Sequence, residues 1–244
     1  MLKLGKLELG DSAKIAATIS DVRPETIKRV KRDGAQIVEL RLDEFRKIDA
    51  RSVRRILKFA KTAGLPIIAT IRSKKEGGRK FISHQKRLQL FRMIILEVDS
   101  IDIELSSRII LDSVIELAHK SHKLVIVSYH NFVQTPSGEK LEKIIKEAKS
   151  RRADIVKIST LAKTPDDILT LGRITFKNKT KNIITLAMGK IGAVSRIFLP
   201  AMGSLVTYGF VDKPHAPGQL SVKVLKRDLK AYCAKRPPRM GRIK

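Results

Sequence analysis

Segments of two different periodicities alternate along this chain of 244 residues, and the alternation constrains the fold more than any other feature. Eight short segments rich in Ile and Val have the length and composition of β-strands; they are residues 14–20, 36–43, 66–73, 100–105, 123–130, 154–160, 181–188 and 205–210. Each is followed by a segment with helical periodicity; these are residues 24–33, 50–63, 85–98, 108–120, 140–151, 165–176, 192–201 and 222–234. The sequence therefore predicts eight strand-plus-helix units.

Eight such units in a chain of this length predict an α/β fold, a (β/α)8 TIM barrel, better than an open doubly wound sheet. The doubly wound sheet usually carries a glycine-rich phosphate turn after its first strand, whereas residues 20–24 contain no glycine. Residues 1–234 are expected to form a single catalytic barrel. Residues 235–244, with five basic side chains and no acidic one, are expected to form a basic C-terminal tail.

Charged residues alternate with apolar residues in three of the predicted strands. Side chains alternate between the two faces of a strand, so the charged residues share a face: they are Glu39, Arg41, Asp43, Arg72, Asp102 and Glu104. In a barrel the helices cover the apolar faces, and the charged faces converge on the axis. Burying these ions is costly unless they pair or meet solvent and ligand. A binding site explains them better than a core does.

Two residues on neighbouring predicted strands, His130 and Lys157, are candidates for chemistry. Lys157 is flanked by Val156 and Ile158, and an apolar surrounding is expected to lower its pKa from about 10.4 toward the physiological range. A neutral amine can attack a ketone to give an iminium, which acidifies the neighbouring C–H. His130 supplies a base that can later act as an acid. The alternatives are a structural salt bridge from Lys157 to an interior carboxylate, and a core histidine.

Two loops suit an anionic, hydroxylated ligand. Residues 72–78 follow the third strand and contain two glycines and one acid, Glu76, which could orient a histidine. Residues 188–196 follow the seventh strand and offer backbone donors, a helix N-terminus and Arg196 for a carboxylate or phosphate.

Seven segments carry a more specific signal, in order along nearly the whole chain. They are ELRLD at 39–43, TIR at 70–72 with EGG at 76–78, DIEL at 102–105, SYH at 128–130, DIVKI at 154–158, MGK at 188–190 with SR at 195–196, and APGQ at 216–219. Together they resemble the type I 3-dehydroquinate dehydratases, the Schiff-base enzymes of the shikimate pathway to aromatic amino acids.

The resemblance implies a mechanism. Lys157 forms an imine with the C3 ketone of the small-molecule substrate, 3-dehydroquinate. His130 removes the C2 proton and returns it to the C1 hydroxyl, which leaves as water in a syn elimination to 3-dehydroshikimate. Hydrolysis then frees Lys157. Glu76 matches the carboxylate that orients the histidine, and Arg196 matches the arginine that grips the substrate carboxylate.

Further site positions follow from the same resemblance. Residues matching positions that hold the ring hydroxyls or support the lysine are Glu39, Arg41, Arg72 and Gln219. Met188 matches an apolar wall of the pocket. His215 stands where a serine is common and receives no role, and Leu186 stands where methionine is frequent. The connection 211–218 is expected to act as a lid.

The resemblance also implies a homodimer with no metal or organic cofactor, because the iminium is itself the electron sink. His119 and His122, one helical turn apart, have no evident partner carboxylate and are expected on the surface.

The charge balance leaves a rival from another class. Lys and Arg number 51 against 24 Asp and Glu, a formal net charge of +27, which can attract nucleic acid or steer an anionic substrate. A nucleic-acid-binding protein leaves Lys157 and the interior carboxylates unexplained, and the chain has no zinc-finger or RRM signature; no specific nucleic acid is expected. A class I aldolase would share Lys157 but cleave a C–C bond, which fits His130, Glu76 and Arg196 less well.

Localisation is expected to be cytoplasmic. No apolar run approaches the ~18 residues of a membrane span, so no membrane contact is expected. Residues 1–12 contain lysines without a following apolar stretch and cleavage site. The single cysteine, Cys233, cannot form an internal disulfide.

Overall fold

The structure, a computed structural model, describes residues 2–233 and begins with a short antiparallel hairpin. Its strands are β1 (Leu2–Leu4) and β2 (Leu7–Leu9). Gly5, in the turn, has a φ of +56°, a left-handed conformation that glycine adopts without strain. This hairpin was not predicted from the sequence.

Eight strands and eight helices then alternate along the chain. The strands are β3 (Lys14–Ile19), β4 (Ile37–Arg41), β5 (Ile67–Thr70), β6 (Ser100–Glu104), β7 (Leu124–Asn131), β8 (Ile155–Leu161), β9 (Ile183–Met188) and β10 (Val206–Phe210). The helices are α1 (Pro24–Asp33), α2 (Ala50–Lys61), α3 (His84–Ile94), α4 (Arg108–Lys120), α5 (Gly138–Ser150), α6 (Pro165–Lys177), α7 (Ser195–Met202) and α8 (Val222–Tyr232).

The eight strands form one parallel sheet in the order β10-β3-β4-β5-β6-β7-β8-β9. The first and last strands of this order approach each other, and the backbone N–H of Leu205 donates to the carbonyl of Ile183 at 2.9 Å. The predicted (β/α)8 barrel is therefore confirmed, and the carboxyl ends of all eight strands meet at one end.

Local signals explain where several helices begin and end. Pro24 occupies the first turn of α1, and Gly34 ends that helix with a φ of 104°. Thr164 and Asp167 form a reciprocal capping box at the start of α6. The predicted helix 192–201 begins later than expected, at Ser195, because a 3-10 turn (Ile191–Val194) precedes it.

Two apolar layers hold the barrel together. The larger one lies between the helices and the outward faces of the strands, where Val38, Ile101 and Val127 are at most 1% exposed. The smaller one fills the amino-terminal end of the barrel interior with inward-facing side chains of several strands. It includes Ala16, Ile37, Ile68, Ile126, Ile155 and Ile184. Leu4 and Leu9 of the hairpin belong to this second layer and plug that end.

The chain terminus and the surface histidines were also subjects of prediction. Residues 234–244, including the predicted basic tail, lie outside the described residues. The expectation that His119 has no carboxylate partner is wrong: its Nε2 lies 3.1 Å from Oδ2 of Asp154, the residue just before β8. Periodicity could not reveal this pair because the two residues are 35 positions apart.

Candidate active site

Lys157 lies on the inward face of β8, in the middle of the barrel. Its Nζ is 2.9 Å from Asp102 Oδ2 and 3.3 Å from Glu39 Oε1. The ring of Tyr208 faces the same nitrogen, with its centroid 4.0 Å away. All four side chains are buried. Tyr208 was not identified from the sequence, since an aromatic residue on a strand reads equally well as core.

The charge of Lys157 differs from the expectation based on sequence. Burial alone lowers the pKa of this amine, but the negative charges of Asp102 and Glu39 outweigh burial and raise the pKa above its ordinary value. The predicted lowered pKa is therefore wrong, and the alternative of an ion pair with an interior carboxylate applies. The two ion pairs therefore favour the ammonium form of Lys157.

Arg72 links the carboxylates beneath the site into one network. Its guanidinium lies 2.9 Å from Asp102 Oδ1 and 2.9 Å from Glu104 Oε1, and donates to Ser128 Oγ at 2.7 Å. Arg87 reaches the other oxygen of Glu104 at 2.6 Å. Despite burial, Arg72 and Lys157 hold the pKa of Asp102 well below its usual range. The interior charges predicted from strand alternation are thus paired, and all of them except Arg41 are buried; the pairing offsets their desolvation cost.

His130 lies near the end of β7, where Glu76 and Ser106 form a small relay with it. Glu76 Oε2 accepts the backbone N–H of His130 at 2.8 Å and lies 3.1 Å from ring Nδ1. Ser106 Oγ donates to the other oxygen of Glu76. Gly77 and Gly78 permit the tight turn: Gly77 has a φ of 86°, and a Cβ at Gly78 would lie 2.2 Å from the Arg72 carbonyl.

The surroundings of His130 favour a neutral imidazole. Burial, followed by the positive charges of Arg72 and Lys157, lowers the pKa of His130 well below its ordinary value. Burial raises the pKa of Glu76 to about 7. At neutral pH His130 is therefore a free base, and Glu76 is close to the point where it gains or loses a proton.

Arg196 is a buried cation that lacks a carboxylate partner in the described part of the chain. It is 2% exposed, its Nε has no hydrogen-bond partner, and one Nη lies 3.4 Å from the carbonyl of Tyr208. Burial lowers its pKa to about 10, so it stays charged at neutral pH. A buried unpaired guanidinium is costly, and an anionic ligand would supply the missing partner.

Residues 211–218 cover one side of the site and are tied to the barrel rim. His215 Nδ1 lies 2.8 Å from Glu44 Oε2, and its backbone N–H donates to Gln219 Oε1 at 2.6 Å. The Gln219 amide in turn donates to Thr18 Oγ1 at 3.3 Å. Arg41 holds the other oxygen of Glu44 at 3.0 Å. His215, which stands where the family resemblance makes a serine common, therefore fastens residues 211–218 to the rim of the barrel.

One cavity of about 90 Å³, at the carboxyl ends of the strands, brings the predicted site residues together. Its lining includes Lys157, His130, Glu76, Glu39, Arg41, Arg72, Met188, Arg196 and Gln219. Four further lining residues were not predicted from the sequence; they are Tyr208, Thr18, Ser159 and Phe132. A larger groove of about 560 Å³ beside it shares Thr18 and His215, but the lysines in its lining, Lys80 and Lys213, are not buried.

Neither a metal cluster nor a membrane helix is found in residues 2–233. No group of three or more His, Cys, Asp or Glu side chains in that range is placed to hold a metal ion. Within the same residues, no helix combines the length and apolar character needed to cross a membrane.

Comparison with known proteins points to one family. The family model described as type I 3-dehydroquinase matches residues 14–234. A 3-dehydroquinate dehydratase of Methanococcoides burtonii is 33% identical over 229 residues, covering 93% of this chain and 97% of that protein. One from a Hydrogenobaculum species is 38% identical over 210 residues, covering 86% and 94%.

Solved structures agree with the sequence comparisons. The type I 3-dehydroquinate dehydratase of Clostridium difficile has a TM-score of 0.87 at 29% identity, covering 94% of this chain and 96% of that one. The enzyme from Aquifex aeolicus gives 0.80 at 32% identity, covering 90% and 98%. The chain belongs to the type I 3-dehydroquinase family.

Proposed function

We propose that this protein is a hydro-lyase that converts 3-dehydroquinate to 3-dehydroshikimate and water through an imine on Lys157. The observation that carries the proposal is the shared cavity of Lys157, His130 and Arg196: a nucleophile, a neutral base and an unpaired cation. Membership of the family supports the same reaction.

The cavity has a complementary group for each part of the substrate. Arg196 binds the carboxylate, which supplies the partner that the guanidinium lacks. The ketone points to Lys157. Met188 forms an apolar wall, and the remaining polar side chains hold the ring hydroxyls or support the lysine; these are Glu39, Arg41, Arg72 and Gln219.

The amine of Lys157 must lose a proton before it attacks. Asp102 and Glu39 keep the ammonium form before substrate binds, and the neutral imidazole of His130 lines the same cavity and can accept a proton. Attack on the C3 ketone then forms the N–C bond. The ketone oxygen takes one proton from the attacking nitrogen and the proton held by His130 and leaves as water, which gives the iminium and returns His130 to its neutral form.

The iminium drives the elimination. It withdraws electrons from C2, and His130 removes the C2 proton to leave an enamine. The enamine electrons expel the C1 hydroxyl, which takes the proton from His130 and leaves as water. Hydrolysis of the conjugated iminium consumes one water, releases product and restores Lys157. The iminium is the electron sink, so the proposed cycle uses no cofactor.

A turnover assay with a binding control tests the proposal. Purified protein is expected to form the conjugated enone product, followed by its ultraviolet absorbance, and Lys157→Ala is expected to lose this activity by at least about 10⁴-fold. Retention on immobilised DNA at physiological salt, equal in both proteins and without enone formation by either, would favour a nucleic-acid-binding protein instead. Cleavage of a C–C bond would favour an aldolase.

We further propose that the protein works as a cytoplasmic homodimer. Several large apolar side chains are exposed on the described surface, including Phe81 at 84% and Ile109 at 76%, and association would cover part of this surface. The chain has a single cysteine, Cys233, which cannot form an internal disulfide, so the fold needs no oxidising compartment. Sedimentation of the purified protein and fractionation of its source cells test these two points.

A further inference from the structure

The turn after β6 places a hydroxyl beside the carboxylate that orients the histidine. Ser106 is itself exposed, whereas Glu76, which it contacts, is a buried residue at 6% exposure. Its Oγ donates to Glu76 Oε1, while Oε2 of the same carboxylate faces His130. Ser106 does not line the cavity, so any effect on the chemistry must pass through Glu76.

We propose that Ser106 is a positioning residue that keeps Glu76 ionised and thereby fixes the proton of His130 on Nδ1. The inference rests on the proposed function, because it assigns a role in the same dehydration. Its basis is the continuous contact from Ser106 Oγ through Glu76 to Nδ1.

The protonation state of Glu76 decides which ring nitrogen can act as the base. An ionised carboxylate only accepts hydrogen bonds, so Nδ1 must carry the proton and Nε2 keeps its lone pair. A protonated carboxyl can donate to Nδ1, and the imidazole proton then sits on Nε2. In that tautomer the nitrogen not held by Glu76 has no lone pair with which to remove a proton from carbon.

Glu76 is finely balanced between these two states. Burial raises its pKa to about 7 and the charge of Glu104 adds to this, while the hydrogen bonds from Ser106 and the His130 backbone and the charge of Arg72 lower it. The charged groups that act on the imidazole itself are Arg72, Lys157, Asp102 and Arg41. Within residues 2–233, no hydrogen bond joins any of these four groups to Ser106.

Ser106 is the residue whose substitution can change the pKa of Glu76. Within residues 2–233 it provides the one side-chain hydroxyl bonded to Glu76. A hydrogen bond to a charged group changes an equilibrium by about tenfold or more, which corresponds to about one pH unit. Without Ser106, Glu76 would be mostly protonated at neutral pH.

The pH dependence of kcat tests the proposal, with Ser106→Ala, Ser106→Thr and the distant control Ser150→Ala. Ser150 is exposed at the end of α5, and its hydroxyl donates to the Glu147 carbonyl. In Ser106→Ala we expect the acidic limb of kcat to move up by about one pH unit, with about tenfold lower kcat at pH 6 and nearly unchanged kcat at pH 9. Ser106→Thr, which keeps the hydroxyl, is expected to follow the unchanged enzyme.

Nitrogen-15 NMR of the histidine ring gives a second readout that needs no turnover. At pH 8, above the pKa of Glu76, the unchanged protein should show most of the His130 proton on Nδ1, and Ser106→Ala should show a larger share on Nε2. Identical tautomers and superimposable pH profiles in these two proteins would overturn the role of Ser106. Failure of the unchanged enzyme to dehydrate 3-dehydroquinate would instead overturn the proposed function, and the NMR comparison would still decide the inference.

Discussion

Apolar side chains fill one end of the barrel interior, and charged and polar side chains fill the other. At the amino-terminal end, side chains such as Ile37 and Ile126 form an apolar cluster with Leu4 and Leu9 of the hairpin. At the carboxyl end, ion pairs and hydrogen bonds fill the same interior around Lys157. One end stabilises the fold by excluding water from hydrocarbon, and the other maintains buried charges that serve a ligand. The comparison indicates that stability and chemistry can be altered separately.

Among the tests of this comparison, the largest effect is expected from removing the base at the carboxyl end, which should change activity and not stability. His130→Ala removes the base but leaves Lys157, Asp102 and Glu39 in place. General-base catalysis contributes about 10²–10⁴-fold, so kcat should fall by that factor. Borohydride reduction after long incubation should still capture the imine in amounts similar to those of the unchanged enzyme, because water can slowly take the Lys157 proton in place of His130. A matching loss of imine formation would mean that His130 does not act mainly in the elimination step.

A substitution in the hairpin should lower stability and leave the chemistry unchanged. Leu9→Ala removes a side chain that is 2% exposed in the apolar cluster, and the free energy of unfolding should fall by about 2–5 kcal/mol. The neighbouring control Glu8→Ala, on an exposed position, should change it by less than about 0.5 kcal/mol. Denaturant unfolding measures both. The kcat of folded Leu9→Ala should match that of the control, and a parallel loss of kcat would contradict the separation of the two ends.

Glu76→Gln should test the comparison in a further way, because it should lower activity and raise stability. The folded-state pKa of about 7 lies above the ordinary 4.5, so ionising this buried carboxylate destabilises the fold. The penalty is absent below pH 4.5 and grows as the pH rises through 7. Relative to the unchanged protein, the Glu76→Gln variant should therefore gain about 1–3 kcal/mol of unfolding free energy between pH 5 and pH 8.

Unfolding curves at the two pH values provide the measurement, and kcat should fall because an amide cannot hold Nδ1–H as a carboxylate does. A gain in the free energy of unfolding that is larger at pH 5 than at pH 8 would contradict a raised pKa of Glu76 in the folded protein.

The smallest expected effect concerns the rim. His215→Ser removes the hydrogen bond to Glu44 that fastens residues 211–218, a contact of about 1 kcal/mol. Looser closure should raise KM about fivefold with little change in kcat. Lys213→Ser, an exposed position on the same loop, serves as the control. Equal KM values in the two variants would show that the His215–Glu44 contact does not govern closure.

The barrel and the charged side chains at its carboxyl end could both be predicted from the sequence, because both depend on strand periodicity. Ile68, Thr70 and Arg72 alternate with Ile67 and Ala69, and the structure directs the two sets to opposite faces. The hairpin escaped prediction because each of its strands has only 3 residues, too few for periodicity to register.

The charge of Lys157 could not be predicted from its neighbours in sequence. Val156 and Ile158 suggested an apolar surrounding, but the groups that decide the pKa are Glu39 and Asp102, 118 and 55 residues away. Ser106 escaped for a similar reason: its partner Glu76 is 30 residues distant, and serine in a turn carries no signal of its own.

The most direct test of the account is covalent capture of the substrate. Protein mixed with 3-dehydroquinate and sodium borohydride, digested and analysed by mass spectrometry, should carry one reduced adduct, on the peptide containing Lys157. The chain has many other lysines, so modification of a single one would be specific. An adduct on another lysine, or no adduct during active turnover, would contradict imine catalysis by the buried amine.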